Sequence, residues 1–239
     1  MKKFIFTIFV LLPFLVSSQS SSLKIKLGAG VPLGNYGSGN LDEAAFAKPG
    51  FAFDLSIERK FIDYLGIKAS VLYNRNAIND LDIYSAARAI NRKVHSVETG
   101  TYEITSLLLG LVTTFSVKSL ISFDFYGLIG YSEIIDPGSK IEISNFQFGS
   151  FVNTTVISNR ASTGSFCYNL GLDINFRISK GVSIIMGGSY HGAKAKYEDV
   201  SFTIIDNNKT TTGTTDYENT VSILNTNLGI KILIWELIK

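Results

Sequence analysis

Large apolar side chains alternate with small or polar ones along most of this chain. The clearest example lies within residues 104–131, where two alternating runs flank a short polar segment at 116–119. The apolar face of the first run is made of Leu107, Leu109, Leu111 and Phe115. The opposite face is made of Ser106, Leu108, Gly110, Val112 and Thr114. A period of two with one apolar face predicts two β-strands joined by a tight turn.

The same alternation predicts six further strands. They cover residues 23–31, 51–57, 65–74, 166–177, 182–191 and 224–234. Together with the two runs in 104–131 they make an even number of strands, as closed bacterial membrane barrels have.

The predicted connections fall into two length classes. Those near 60–63, 117–120 and 179–181 are short, whereas 33–49, 75–102, 133–164 and 192–220 are long and rich in Asn, Ser, Thr and Gly. Short periplasmic turns opposite long extracellular loops are typical of outer-membrane barrels. Both ends of the barrel domain are then expected on the periplasmic side.

Alternation alone is compatible with two barrels: a soluble one with its apolar face inside, or a membrane barrel with that face outside. Side-chain size distinguishes them, because an eight-stranded barrel has little interior space. The apolar faces consist mainly of Leu, Ile and Phe, while the opposite faces are rich in Gly and Ser. We therefore predict an all-β fold: an eight-stranded antiparallel transmembrane β-barrel with its large apolar residues facing lipid.

The N-terminal residues predict export. Lys2 and Lys3 precede an apolar run and a small-residue exit at Ser17 and Ser18, which indicates a signal peptide at 1–18 and a barrel domain at 19–239. Without Lys2 and Lys3 the basic and acidic side chains are equal in number, so the charge balance points to no nucleic acid. Cys167 is the single cysteine, which excludes an internal disulfide.

Four segments resemble the outer-membrane β-barrel domain family of small PorT-like barrels, which are similar in architecture to OmpA/OmpX-type barrels. The segments are GAGVPLGNYG (28–37), KPGFAFDLSIERKF (48–61), SLLLGL (106–111) and FYGLIGY (125–131). The resemblance implies a location in the outer membrane of a Gram-negative bacterium and contact with its lipid. It brings no catalytic residues and no cofactor.

The faces predicted to point inward carry a mixture of charges. They are Lys24, Lys26, Asp54, Glu58, Lys68, Asp124, Asp173, Arg177 and Lys231. Unpaired charges are costly in a narrow interior, so we expect ion pairs that close the lumen. The alternative, a charged permeation path, needs a wider lumen than eight strands provide.

One constellation raises an enzymatic alternative. Ser189 and His191 share a strand face, and Glu198 and Asp199 follow, so a hydrolase acting on lipid or peptide with a site near His191 is the second hypothesis. No metal, phosphate or calcium motif is present in the sequence. We expect a non-enzymatic surface barrel without cofactor, which either binds a partner, as in adhesion, or stabilises the envelope.

The long loops are where partner specificity is expected. Apolar residues at helical spacing in 79–95 predict a short amphipathic helix over the barrel mouth. Segments 133–164 and 192–220 predict hairpins that extend above the membrane and bind a protein partner by strand addition, unless they pair with each other. The side chains predicted to contact the partner are Ile141, Ile143, Phe151, Val152, Phe202 and Ile204.

Overall fold

The computed structural model describes residues 20–39, 45–89, 92–117, 120–147, 150–206 and 209–234, with the backbone alone for 145–147 and 150–152. Its strands are β1 (Ser20–Pro32), β2 (Gly50–Ile62), β3 (Leu65–Ala77), β4 (Lys93–Thr99), β5 (Thr101–Val117), β6 (Ile121–Asp136), β7 (Ser139–Gln147), β8 (Ser150–Ser158), β9 (Ala161–Arg177), β10 (Val182–Asp206) and β11 (Lys209–Leu233). The described residues also contain one α-helix, α1 (Asp80–Ala89), and one 3-10 turn, Gly34–Tyr36. The predicted signal peptide lies outside the described residues.

Eight of the strands close into a ring. The order is β1-β2-β3-β5-β6-β9-β10-β11, and β11 pairs back onto β1 from Leu233 opposite Ser22 to Ile223 opposite Pro32. Every pairing in the ring is antiparallel. Closure gives each barrel strand two neighbours, so the backbone polar groups are satisfied without water, as a bilayer requires. The predicted eight-stranded barrel is confirmed.

Side-chain orientation follows the predicted alternation. On β5, Leu107 and Leu109 are 63% and 57% exposed, whereas Ser106 is fully buried inside the barrel. Tyr131 on β6 and Tyr168 on β9 lie near the extracellular end of the apolar band, where such barrels place aromatic residues. The apolar faces therefore meet lipid.

Above the ring, two hairpins pair with each other. The upper part of β10 pairs with β11 on one side and with β8 on the other, where Phe202 faces Ser158. β7 pairs with β8, and β4 pairs with β7. We call this assembly, in the order β11-β10-β8-β7-β4, the extracellular sheet. The hairpins predicted at 133–164 and 192–220 thus extend the barrel, and the mutual pairing considered as the alternative occurs between β8 and β10.

The segment predicted as a helix at 79–95 is only partly helical. α1 ends at Ala89, and Ile83 and Ala87 are buried on it as the spacing indicated, while Ile90 lies outside the described residues. From Lys93 the chain runs as β4, because pairing with β7 satisfies its backbone and overrides the helical spacing. In the part of the chain that the structure describes, no helix is long and apolar enough to cross a membrane.

Candidate functional site

Oppositely charged side chains fill the lower part of the lumen. Lys24 of β1 is central: its Nζ lies 2.6 Å from Glu58 Oε1, 2.8 Å from Asp124 Oδ2 and 3.0 Å from Asp173 Oδ2. These carboxylates belong to β2, β6 and β9, so one ammonium group ties together strands on several sides of the barrel. The four residues are almost completely buried.

Three more lysines complete this cluster. Lys26 Nζ lies 2.9 Å from Asp54 Oδ2 and 3.0 Å from Asp173 Oδ1. Lys231 Nζ lies 2.9 Å from Asp124 Oδ2. Lys68 makes longer pairs, 3.5 Å to Asp173 and 3.7 Å to Glu58, and its Nζ lies 3.7 Å from the centroid of the Tyr126 ring. We call these four lysines and four carboxylates the lumen charge cluster.

Arg177, which was predicted to join these charges, does not belong to the cluster. It is the last residue of β9, is exposed, and makes no ion pair among the described residues. It lines a cavity of about 170 Å³ at the periplasmic end of the barrel, together with Lys60 and Lys231. The alternating pattern predicted that the Arg177 side chain points inward, but Arg177 ends β9 and therefore lies at the periplasmic rim of the barrel.

Above the cluster lies a layer of uncharged polar side chains. Asn74, Asn169 and Asn225 are fully buried, and their amide groups have no hydrogen-bond partner among the described residues. Cys167 is buried in the same part of the lumen as a free thiol. Buried amides of this kind are normally satisfied by internal water, so this layer is polar but enclosed.

His191 lies in this layer, and the structure does not assemble the predicted hydrolytic set around it. Its Nε2 is 3.4 Å from Ser106 Oγ, which in turn is 2.7 Å from Ser132 Oγ. Glu198 and Asp199 are exposed on the extracellular part of β10. His191 itself is fully buried, so neither lipid nor surface peptide reaches the ring.

The top of the lumen is closed by apolar and aromatic side chains. Ile104, Ile134 and Ile223 are essentially completely buried there. Tyr102 packs edge-on against Tyr36 at 5.4 Å between ring centroids. Sequence reasoning did not single out these tyrosines, because they come from distant segments that only the closed ring brings together.

The side chains predicted for partner contact mostly face other parts of the protein. Ile143 is buried, Ile141 packs against the buried residues at the top of the lumen, and Phe202 and Ile204 are half-buried. The side chains of Phe151 and Val152 lie outside the described part of the chain. Apolar residues of these hairpins therefore contribute to packing within the extracellular sheet.

The backbone of β11 offers a different surface. From Ile223 to Ile232, on the membrane side of Ser222, this strand pairs with both β10 and β1. At Ser222 itself, the carbonyl oxygen accepts a hydrogen bond from Leu33 N at 2.8 Å. Between 209 and 219 this strand pairs with β10 alone, and no other described strand lies on its second side. We call this side of 209–219 the β11 edge. At the opposite end of the sheet, α1 packs beside β4, and Thr99 Oγ1 donates to Asp80 Oδ1 at 2.7 Å.

The closed antiparallel ring, its lipid-facing apolar band and its filled lumen define an outer-membrane β-barrel. The chain belongs to the outer membrane protein beta-barrel domain family, whose model matches residues 6–229. It is accordingly located in the outer membrane of Gram-negative bacteria. No curated protein matches it at the significance required.

Several solved outer-membrane proteins resemble the chain at low identity. Neisserial surface protein A is 12% identical with a TM-score of 0.46, over 89% of this chain and 96% of that one. Ail, the attachment invasion locus protein of Yersinia pestis, is 16% identical with a TM-score of 0.41, over 90% and 100%. The outer membrane protease OmpT of Escherichia coli is 8% identical with a TM-score of 0.37, over 91% and 98%. Likenesses at this level carry no conclusion about activity.

Proposed function

We propose that this protein is a non-enzymatic surface barrel with a closed lumen that binds a protein partner by strand addition at the β11 edge. The main observation behind this proposal is that residues 209–219 form a largely exposed strand which, among the described strands, pairs with β10 alone. Exposed strand edges present rows of free N–H and C=O groups that accept a strand from another chain. The partner we expect is an extended segment of another surface or extracellular protein, whose backbone N–H and C=O groups can pair with those of the edge.

The composition of this edge supports strand addition. Five threonines lie in 210–215 around Gly213, and threonine favours strands. Natural edges are usually blunted by proline, inward charges or a covering element. Only Lys209, Asp216 and Glu218 are charged on this segment, and it contains no proline.

The filled lumen supports a binding function over transport. The lumen charge cluster, the polar layer and the aromatic top place buried side chains at successive levels of the lumen, and an eight-stranded barrel is narrow enough for side chains to fill. The enclosed position of His191 likewise supports a non-enzymatic function over the hydrolase alternative.

A photocrosslinking experiment tests the proposal. A benzophenone amino acid replaces Thr214 at the edge, or Thr203 within the sheet as a control. The cells are then irradiated in the presence of the microorganisms with which they naturally live. Thr203 lies on β10 between β8 and β11, so its backbone is already paired on both sides. We expect protein adducts from position 214 and few from 203. Absence of adducts at 214, or equal adducts at both positions, would overturn the proposal.

A pair of proline variants separates edge binding from folding. Neighbouring residues of β11 direct their amides alternately toward β10 and toward the open side, so Thr211→Pro and Thr212→Pro remove amides on opposite sides. One variant should keep the hairpin and lose the adducts at 214, whereas the other should disturb the β10 pairing. If the variant that keeps the hairpin also keeps every adduct, the partner does not use the edge.

Deletions of the two hairpins complete the test. Removing 200–214 takes away most of the β11 edge and should abolish partner capture while the barrel stays folded. Removing 141–157 leaves the edge in place but frees the second side of β10 by removing most of β8, so capture should persist. Loss of the cellular function in His191→Ala, with capture unchanged, would favour the hydrolase instead.

A further inference from the structure

A single carboxylate lies among four tyrosines at the top of the barrel. Asp136, the last residue of β6, is 8% exposed. Its Oδ2 accepts a hydrogen bond from Tyr217 Oη at 3.0 Å, and its Oδ1 accepts one from Gly138 N at 2.9 Å. Tyr102 lines the same cavity as this carboxyl group. Both donors are neutral, so they do not compensate the negative charge.

The nearest basic residues along the chain are engaged elsewhere. Lys140 lies 3.1 Å from Glu98, and Arg160 lies 3.9 Å from Glu103. Among the described residues no cationic group lies within ion-pair distance of Asp136. An unpaired buried charge is costly, so this carboxyl must either hold a proton or meet a cation from outside.

A cavity opens directly onto this carboxyl group. Its volume is about 290 Å³, and Asp136, Tyr102 and Tyr217 line it. The rest of its wall is largely apolar and includes Phe46, Ile78, Ile83 and Ile141. The cavity therefore combines one negative group, two aromatic rings and an apolar wall.

The tyrosine pairs extend this aromatic lining. Tyr197 stacks on Tyr217 with ring centroids 4.8 Å apart, and Tyr36 meets Tyr102 edge-on. The hydroxyl groups of Tyr36 and Tyr197 are buried and have no hydrogen-bond partner among the described residues. Burial, together with the Asp136 charge, raises the pKa of all four phenols above the ordinary value, so they remain neutral at neutral pH.

One wall residue adopts an unfavourable backbone conformation. Phe46 has φ of +51°, where a bulky side chain is rare. Its ring packs against the buried apolar and aromatic residues at the top of the lumen. Its carbonyl accepts a hydrogen bond from Asn79 N, just before α1. Such strain is found at ligand sites, where surrounding contacts hold the residue in place.

We propose that this cavity binds a small organic ammonium ion, with its cationic nitrogen between Asp136 and the rings of Tyr102 and Tyr217 and its hydrocarbon part on the apolar wall. The carboxylate supplies an ion pair, and the electron-rich ring faces attract a cation more strongly when water is excluded. An anion is repelled by Asp136. A neutral molecule of the same shape gains only the apolar contact.

Three benzyl compounds of different charge test this site. Benzylamine, benzyl alcohol and phenylacetate are titrated into the full barrel in an uncharged detergent at pH 7.5, with binding followed by calorimetry and by tyrosine fluorescence. We expect saturable binding of benzylamine that is about tenfold or more tighter than that of benzyl alcohol, and no binding of phenylacetate. If the wild-type protein binds benzylamine and benzyl alcohol with equal affinity, or shows no saturable binding of benzylamine, the proposal is overturned.

Matched variants locate the site. Asp136→Asn removes the charge with little change in shape and should abolish the preference for benzylamine over benzyl alcohol. Glu133→Gln removes a carboxylate from the exposed face of the same strand and should leave that preference intact. If Asp136→Asn keeps the preference, or Glu133→Gln loses it, the cation binds elsewhere. The site uses the side chain of Tyr217, whereas the proposed partner uses the open backbone side of 209–219. The two experiments have separate readouts, so failure of cation binding leaves the proposed partner binding untouched.

Discussion

Lys24 is the residue whose loss should destabilise the lumen charge cluster most directly. Three carboxylates converge on its ammonium group, so Lys24→Ala leaves them with too little positive charge. Breaking a buried ion pair in this way costs about 3–5 kcal/mol. We expect Lys24→Ala to lower the free energy of unfolding by that order, measured by urea unfolding of the refolded barrel.

An exposed pair supplies the control for Lys24. Lys194 and Glu218 are 2.6 Å apart on the extracellular part of β10 and β11, and both are solvated. Surface ion pairs contribute little, so Lys194→Ala should leave unfolding almost unchanged. If both alanine variants behave alike, the lumen charge cluster does not stabilise the fold.

Leu109 reports on the lipid face. Its side chain is exposed at the middle of the apolar band of β5. Arginine at the membrane midplane of such a face costs about 2–4 kcal/mol, so Leu109→Arg should impair folding into lipid vesicles while Leu109→Phe should not. Ser106→Arg should fail for another reason, because Ser106 is fully buried against Ser132. Equal folding of Leu109→Arg and Leu109→Phe would contradict the lipid-facing orientation.

Asp136 should make stability depend on pH. Burial raises the pKa of this carboxyl above its usual range, and the ionisable groups facing it are Tyr36, Tyr102, Tyr197 and Tyr217. The folded state then binds the proton more readily than the unfolded chain, in which the pKa of an aspartate is about 3.9. The wild type should lose stability relative to Asp136→Asn as the pH rises from below that value through the raised pKa. A difference between the two proteins that is constant from pH 3 to 8 would contradict this.

At the scale of elements, Gly138 controls where β6 ends and β7 begins. Its φ is +72°, and a Cβ there would collide with Ser158 O and lie 2.8 Å from Arg160 N. Gly138→Ala should therefore strain the junction by about 1–3 kcal/mol. The β7–β8 hairpin should become sensitive to protease added outside the cell while the barrel remains intact.

Gly127 provides the matched control for Gly138. It lies on the lipid face of β6, the strand that ends just before Gly138, and a Cβ there meets only Leu170 Cδ2 at 3.4 Å. Gly127→Ala should leave the protease sensitivity of the hairpin unchanged. Were Gly138→Ala equally resistant, the hairpin would be held by its pairing with β10 rather than by the junction.

For the whole molecule, the filled lumen predicts that the barrel does not conduct ions. Charged, polar and aromatic layers succeed one another from the periplasmic end to the extracellular end. Purified protein in planar bilayers should show no steady channel. A reproducible conductance that changes on replacing Asp124 or Lys68 would show that the lumen is open.

The sequence by itself determined the barrel. Eight amphipathic strands have one consistent solution in a membrane, because each strand needs two hydrogen-bonded neighbours and its apolar face needs lipid. The alternation also identified which charges point inward, and eight of the nine meet in the lumen charge cluster. The period-two pattern depends only on residues close together in the sequence, so it predicts side-chain orientation before the pairing of the strands is known.

Only the tertiary structure decided the arrangement above the membrane. The helix predicted over 79–95 ends before Lys93, where β4 begins and pairs with β7, and the two hairpins meet through β8 and β10. The site around Asp136 draws Tyr36, Tyr102, Tyr197 and Tyr217 from four separate segments. No local pattern marks such residues, because their proximity follows from the closure of the ring and from the direction in which each strand leaves it.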